Sequence, residues 1–179
     1  MRLDHIAYRV SNRDKAAEFF ISAFNYSISD EFKIDFGDGT CANCYALLPS
    51  ENSKKLKIYT YCDPMYGTEY HMAPEIFISE GTNGSIVDRW VKNRGDVGGI
   101  HHIAYMVDSV KDTMVDWKKN NYCDFTTDEP IVSSDLTQCF TRPHPITGII
   151  YEFIERKDKG FNVDNVRKLM LSTEDCKPV

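Results

Sequence analysis

The chain has 179 residues, of which 42% are hydrophobic and 27% are charged, and its formal net charge is −6 at pH 7. A chain of this length buries enough apolar surface to fold without disulfide bonds. The acidic balance argues against a nucleic-acid partner, because phosphate binding needs a basic face. No apolar run reaches the length of a membrane span and no signal-peptide pattern is visible, so we expect a cytoplasmic protein without a membrane partner.

Hydrophobic periodicity predicts an α+β fold, and the first part of the chain has one helix among four strands. The helix carries an apolar stripe, and Gly37-Asp38-Gly39 marks the turn between the second and third strands. Between Pro49 and Pro74 we expect either a solvated loop or an extra hairpin. The predicted elements are a strand at about 2–10, a helix at about 12–24, and strands at about 26–34, 41–48 and 73–79.

The second part of the chain repeats this order after a helix-like piece at about 85–91. Its predicted elements are a strand at about 101–107, a helix at about 109–120, strands at about 122–126, 136–141 and 149–155, and a final helix at about 162–171. The order βαβββ therefore occurs twice. We expect one domain over 1–179, composed of a first βαβββ module at 1–80, a second at 100–156 and a C-terminal helix at 160–172.

A short duplication lies at the start of each module. The stretches Asp4–Val10 and His101–Val107 share five identities in seven positions. Strand alternation places His5 and its equivalent, His102, at the same phase, so the repeat offers two imidazole ligands to a shared centre. His101 is expected to point away from that centre, because neighbouring residues on a strand face opposite sides.

These features resemble the vicinal oxygen chelate superfamily, in which paired βαβββ modules form one cupped sheet around a divalent metal. The resemblance covers nearly the whole chain. It implies a ligand on the first strand of each module and a carboxylate on the last, which match His5, His102 and Glu152. Glu152 shares a strand face with Ile150 and Ile154, and a charge between apolar neighbours requires a partner such as a metal.

Within this superfamily, four segments resemble the catalytic, carboxy-terminal half of the 4-hydroxyphenylpyruvate dioxygenase family. They are Gly99–Ala104, Gln138–Pro143, Tyr151–Arg156 and Gly160–Leu169. The resemblance implies an oxygenase that acts on a small oxo or hydroxy acid, with Fe(II) as the favoured metal and Co, Ni, Mn or Zn as alternatives. The chain departs from that family in having room for one barrel, and in having Val166 where the family's lid helix carries an aromatic residue.

Three further residues are candidates for contact with a small-molecule substrate. Gln138 and Phe140 share a strand face, so they either line the cup or occupy ordinary core and edge positions. Phe161 either closes the site or anchors the last helix. Single-barrel members of the superfamily often pair, so a homodimer is also an expectation.

A second reading of the same ligands stays open at the sequence level. Two imidazoles and one carboxylate leave up to three metal positions open, which suits iron(II) oxygenase chemistry. A fourth ligand would favour a Lewis acid that stabilises an enediolate, as in methylmalonyl-CoA epimerases and glyoxalase-like lyases. The resemblance to those enzymes places Glu75 at the fourth-ligand position and Glu31 near their general base. A metal-free, antibiotic-sequestering binding protein is the third alternative, although such proteins normally lack the His/His/Glu set.

Overall fold

The central element of the fold is a curled, mixed sheet of eight strands, to which a separate two-stranded hairpin is added. The computed structural model describes residues 1–49, 73–156 and 162–176, together with the backbone of 61–63 and 67–69. The described helices are α1 (Arg13–Phe24), α2 (Ile86–Lys92), α3 (Val110–Lys119) and α4 (Val163–Ser172). The strands are β1 (Arg2–Val10), β2 (Tyr26–Asp35), β3 (Cys41–Pro49), β4 (Tyr61–Asp63), β5 (Gly67–Glu69), β6 (Glu75–Gly81), β7 (Gly99–Met106), β8 (Ile131–Val132), β9 (Leu136–Phe140) and β10 (Ile150–Arg156).

The strand order shows the duplication directly. It is β2-β3-β6-β1-β7-β10-β9-β8, so each module supplies one half of the sheet and the two repeat strands, β1 and β7, meet in the middle. β1 and β7 pair antiparallel, whereas each is parallel to the last strand of its own module, β6 or β10. The predicted α+β fold with two βαβββ modules in one cupped sheet is confirmed.

Helices cover both faces of this sheet. The apolar sides of α1 and α3 pack on one face, where Ala17 meets Ile76 and Ile78 in one module and Met114 meets Phe153 in the other. The opposite, concave face is covered by α2 and α4, whose Val87 and Val166 join a buried cluster with Ala7. Side-chain caps begin these helices, since Asn12, Ser85, Ser109 and Asn162 each accept a hydrogen bond from a first-turn amide.

One predicted strand changes in the structure, and one open alternative is decided in part. The strand predicted at 122–126 is replaced by a single bridge between Phe125 and Thr141, and the short β8 pairs with β9 instead. The amide of Tyr122 still bonds to the carbonyl of Trp117, so the end of α3 occupies the start of the predicted strand. Between 49 and 74, β4 and β5 pair antiparallel, while the rest of that segment lies outside the described residues. None of the described helices is long and apolar enough to cross a membrane.

Candidate metal centre

Three side chains from three neighbouring strands converge on the concave face of the sheet. His5 comes from β1, His102 from β7 and Glu152 from β10, and all three are buried. The Nε2 atoms of the two histidines are 3.2 Å apart, and they lie 3.3 Å and 3.1 Å from Oε2 of Glu152. Among the described residues, these three form the one group of histidine, cysteine and acidic side chains close enough together to share an ion.

The spacing of the three donor atoms fits a metal. Ligand atoms about 2.1 Å from an ion and at right angles to each other lie about 3 Å apart, which is close to the three observed distances. Donors arranged at mutual right angles occupy one face of an octahedron, and two histidines with one carboxylate in that arrangement form the facial triad that suits iron(II). The donor set therefore supports a divalent metal.

The electrostatics of the triad also favour a cation. Burial lowers the pKa of His5, but hydrogen bonds to Asp4 and Glu152 outweigh burial and raise it to about 9. Burial raises the pKa of Glu152, but hydrogen bonds with His102 and His5 outweigh burial and lower it to about 2. Burial lowers the pKa of His102, although its hydrogen bond with Glu152 acts in the opposite direction. His5, His102 and Glu152 could hold a divalent ion, which would compete with protons for these donor atoms.

Two outer contacts orient the ligands. Nδ1 of His5 lies 2.7 Å from Oδ1 of Asp4, and Arg156 holds both oxygens of Asp4 at 2.8 and 3.1 Å. The carboxylate fixes the imidazole so that Nε2 faces the centre, as outer carboxylates do in many metal sites. On the other side, the amide nitrogen of Gln138 donates to Oε1 of Glu152 at 2.7 Å. Gln138 therefore directs the remaining oxygen of Glu152 toward the histidines.

The expectation that His101 points away from the centre is wrong. The register between β1 and β7 shifts between the pairs Ala7–His102 and Tyr8–Ile100, which leaves His101 as an extra residue in a β-bulge. The bulge turns both histidines to the concave face, and Nδ1 of His101 lies 2.9 Å from Nδ1 of His102. His101 thus orients the second imidazole ligand much as Asp4 orients the first.

A small cavity of about 20 Å³ adjoins the triad. Its volume is that of roughly one water molecule, so a substrate needs the covering side chains of α4 to move aside. Most of its wall is apolar, and α4 supplies the roof. The lining residues include Arg9, Phe77, Ser79, His101, Gln138, Phe140, Val166, Leu169 and Met170.

The predicted catalytic and substrate residues fall into three groups. Gln138 and Phe140 line the cavity, and the Phe140 ring lies 4.7 Å from that of His102. Phe161 lies outside the described residues. Glu75 is paired in register with His5 and is half-buried, but its carboxylate is outside the group of three converging donors. The negative charge of Glu75 instead helps to raise the pKa of Arg156.

Glu31 is not brought to the centre, which corrects the expectation that it serves as a base there. It is paired with Tyr45, on the face of the sheet that carries α1, and its side chain is 60% exposed. Its carboxylate forms a 2.9 Å ion pair with Arg13 instead. A register shift in β2 between Ile28 and Asp30 determines which face of the sheet Glu31 occupies. Strand alternation alone does not reveal such a shift.

Four residues of the site were not identified from the sequence. They are Asp4, Arg9, His101 and Arg156. Arg9 shares the alternation phase of His5, so its position on the concave face could have been predicted. The other three depend on bulges or on pairing between distant strands, for which the sequence carries no local signal.

The chain has the vicinal oxygen chelate fold, with a candidate His/His/Glu centre at the junction of its two modules. A mutant of 4-hydroxymandelate synthase from Streptomyces coelicolor is similar with a TM-score of 0.72 and 18% identity, over 97% of this chain and 53% of that one. The present chain thus spans about half the length of that enzyme.

Two other solved structures are similar over almost their whole length. Methylmalonyl-CoA epimerase from Mycobacterium tuberculosis has a TM-score of 0.62 and 16% identity, over 88% of this chain and 89% of that one. A hypothetical protein from Bacillus halodurans has a TM-score of 0.60 and 21% identity, over 90% of this chain and 98% of that one. No family model matches the chain, and no curated protein sequence does. The synthase and the epimerase belong to the same superfamily, so the predicted resemblance is confirmed at the level of the fold.

Alanine at any one of His5, His102 or Glu152 is expected to abolish stoichiometric metal binding, because two donors no longer complete the facial set. Elemental analysis after reconstitution and gel filtration should give one ion per chain for the wild type and almost none for each variant. His144→Ala is the matched control, since that histidine does not line the cavity. A triad variant that retains its ion at the wild-type level contradicts the assignment.

Gln138→Leu is expected to weaken metal binding about 10- to 100-fold, because it removes the donor that orients Glu152. Competition with a chelator measures the affinity. Thr137→Val, one residue away on β9, is the control and should leave the affinity unchanged. Unaltered metal affinity combined with a raised KM would instead make Gln138 a substrate ligand alone.

Proposed function

We propose that this protein is a metal-dependent enzyme of the oxygenase type that acts on a small 2-oxo or hydroxy acid. The observation that carries the proposal is the convergence of three donor groups, with no fourth among the described residues. With His5, His102 and Glu152 as its protein ligands, a divalent ion would keep positions open for the oxygens of a 2-oxo or hydroxy acid and for a second small reactant. Iron(II), when bound, supplies the redox chemistry with dioxygen that the side chains themselves lack.

The surrounding residues support this activity through position and exclusion of water. Asp4 and Gln138 fix the ligands, so the open side of the triad faces the cavity. Phe77 and Phe140 form apolar walls, and Leu169 and Met170 of α4 form the roof. An apolar, closed cavity keeps water away from the reacting groups, which protects reactive species from side reactions.

The similar solved structures support the proposal that this protein is an enzyme, but they include enzymes of two different types. One is a 4-hydroxymandelate synthase and others are methylmalonyl-CoA epimerases. At 16–21% identity these likenesses concern the fold, so the choice depends on the centre itself. The three-donor centre favours the oxygenase type.

An epimerase or lyase is the second candidate, and Glu75 is the observation that favours it. Glu75 lies beside His5 in the register of β1 and β6, on the concave face. A carboxylate there has to turn toward the centre to act as a fourth ligand. The positive charge of Arg156 attracts the Glu75 carboxylate and so competes with the metal centre for it. Arg156 also binds Asp4, which orients His5.

Oxygen uptake tests the proposed activity. Protein reconstituted anaerobically with Fe(II) should consume oxygen with at least one member of a panel of 2-oxo and 2-hydroxy acids. The uptake should disappear in Glu152→Ala, which lacks the carboxylate ligand. No uptake with any acid, together with isomerisation of a CoA thioester or a hemithioacetal by the Co- or Ni-loaded protein, assigns the second candidate. A wild-type protein that holds no ion but binds small ligands indicates a sequestering protein.

Glu75→Ala separates the two candidates by metal affinity. The oxygenase proposal predicts unchanged affinity, because the carboxylate of Glu75 is outside the donor group. A fourth ligand would make the affinity fall, as the loss of His5 does. Glu31→Ala is the matched control for an acidic side chain, and we expect it to leave both metal affinity and turnover unchanged. Chelator competition and steady-state kinetics measure the two quantities.

A further inference from the structure

Arg9 is a buried cation that has no acidic partner within the described part of the chain. Its side chain is 2% exposed and lines the metal cavity. One hydrogen bond reaches Oγ1 of Thr173 at 3.3 Å, and Nε has no partner. No carboxylate of the described residues forms an ion pair with it. Buried charges are normally paired, because transfer of a lone ion from water into the protein interior is costly.

His101 presents a second unpaired donor in the same region. Nδ1 of His101 contacts Nδ1 of His102 at 2.9 Å, which leaves Nε2 as the ring nitrogen of His101 that can face a ligand. This Nε2 atom is buried and has no hydrogen-bond partner among the described residues. Arg9 and His101 are near enough for the charge of one to act on the other, and both lie beside the ring of Trp90.

These donors stand where the metal cavity adjoins a larger one. His101 lines both cavities, and Thr173, which contacts Arg9, lines the second. The second cavity has a volume of about 250 Å³, enough for a small organic acid. The guanidinium of Arg94 lies 4.7 Å from the centre of the Trp90 ring and adds a positive charge to its wall.

We propose that Arg9 and His101 form an oxyanion subsite that binds a second anionic group of the substrate, apart from the group that binds the metal. The inference rests on the proposed function and narrows its substrate to acids with two anionic ends. The two ends bind different groups of the same region, because Arg9 lies four residues beyond His5 on β1 and His101 lies next to His102 on β7. A 2-oxo acid with a carboxylate or a phosphate at its far end has the required chemistry.

The test compares pairs of acids that differ only at the far end. Isothermal titration calorimetry of the Zn-loaded protein measures how much affinity the second carboxylate adds. One pair is 2-oxopentanoate and 2-oxoglutarate, and the other is 2-oxohexanoate and 2-oxoadipate. We expect at least one dicarboxylate to bind about tenfold or more tightly than its partner, as charge-assisted hydrogen bonds imply. A 2-oxo acid ending in a phosphonate distinguishes a phosphate from a carboxylate.

Arg9→Met is expected to remove this preference, because in each pair the dicarboxylate loses more affinity than the monocarboxylate. Without ligand, its melting temperature should equal or exceed that of the wild type, because replacing an unpaired buried charge by an apolar side chain relieves its desolvation. Arg89→Met is the control, since Arg89 is exposed and paired with Glu174. It should keep the preference.

Three results overturn the inference. They are equal binding of both acids in every pair by the wild type, a preference that persists in Arg9→Met, and an Arg9→Met variant that melts well below the control or does not fold. The last result would make the guanidinium a structural group. Zinc supports no oxygen chemistry, so a dicarboxylate preference without oxygen uptake rejects the proposed function alone. Oxygen uptake with monocarboxylates only, without a preference, rejects the subsite alone.

Discussion

The buried carboxylate of Glu152 is the constraint on which the rest of the site depends. A carboxylate at 2% exposure is stable only with partners for both oxygens, and it has them. One oxygen accepts from Gln138, and the other faces the two histidines. All of these groups come from adjacent strands of one sheet, so the pairing of β1, β7, β10 and β9 fixes the site as it fixes the fold.

Duplication explains why the ligands meet. Because β1 and β7 are copies that pair antiparallel at the centre of the sheet, equivalent histidines face each other across the junction of the modules. β10 is parallel to β7 and places Glu152 beside Ala104, within reach of both imidazoles. Neither module alone contains the full set. The centre therefore also links the halves of the sheet, in addition to the backbone pairing between them.

Sequence analysis predicts those parts of the site that follow a regular pattern, such as the alternation of side chains along a strand. The phase of His5 and His102 follows from the repeat and from strand alternation. The resemblance to the superfamily implies Glu152 as the third ligand, and the structure brings the three together. Alternation fails where a strand carries an extra residue. The bulge beside His102 turns His101 inward, and the shift in β2 precedes Glu31, which faces the other side of the sheet. Bulges depend on the partner strand, so a single sequence does not locate them.

The charges inside the site point to the kind of molecule it accepts. Asp4 and Arg156 neutralise each other in the outer shell, and Glu152 offsets one of the two charges of a divalent ion. One positive charge then remains at the metal and another on Arg9, both beside the same largely apolar cavity. Burial lowers the pKa of Arg9 to about 9, which still leaves the guanidinium charged at neutral pH. A ligand with two negative ends balances both charges, whereas a monoanion leaves one of them uncompensated in a medium of low polarity.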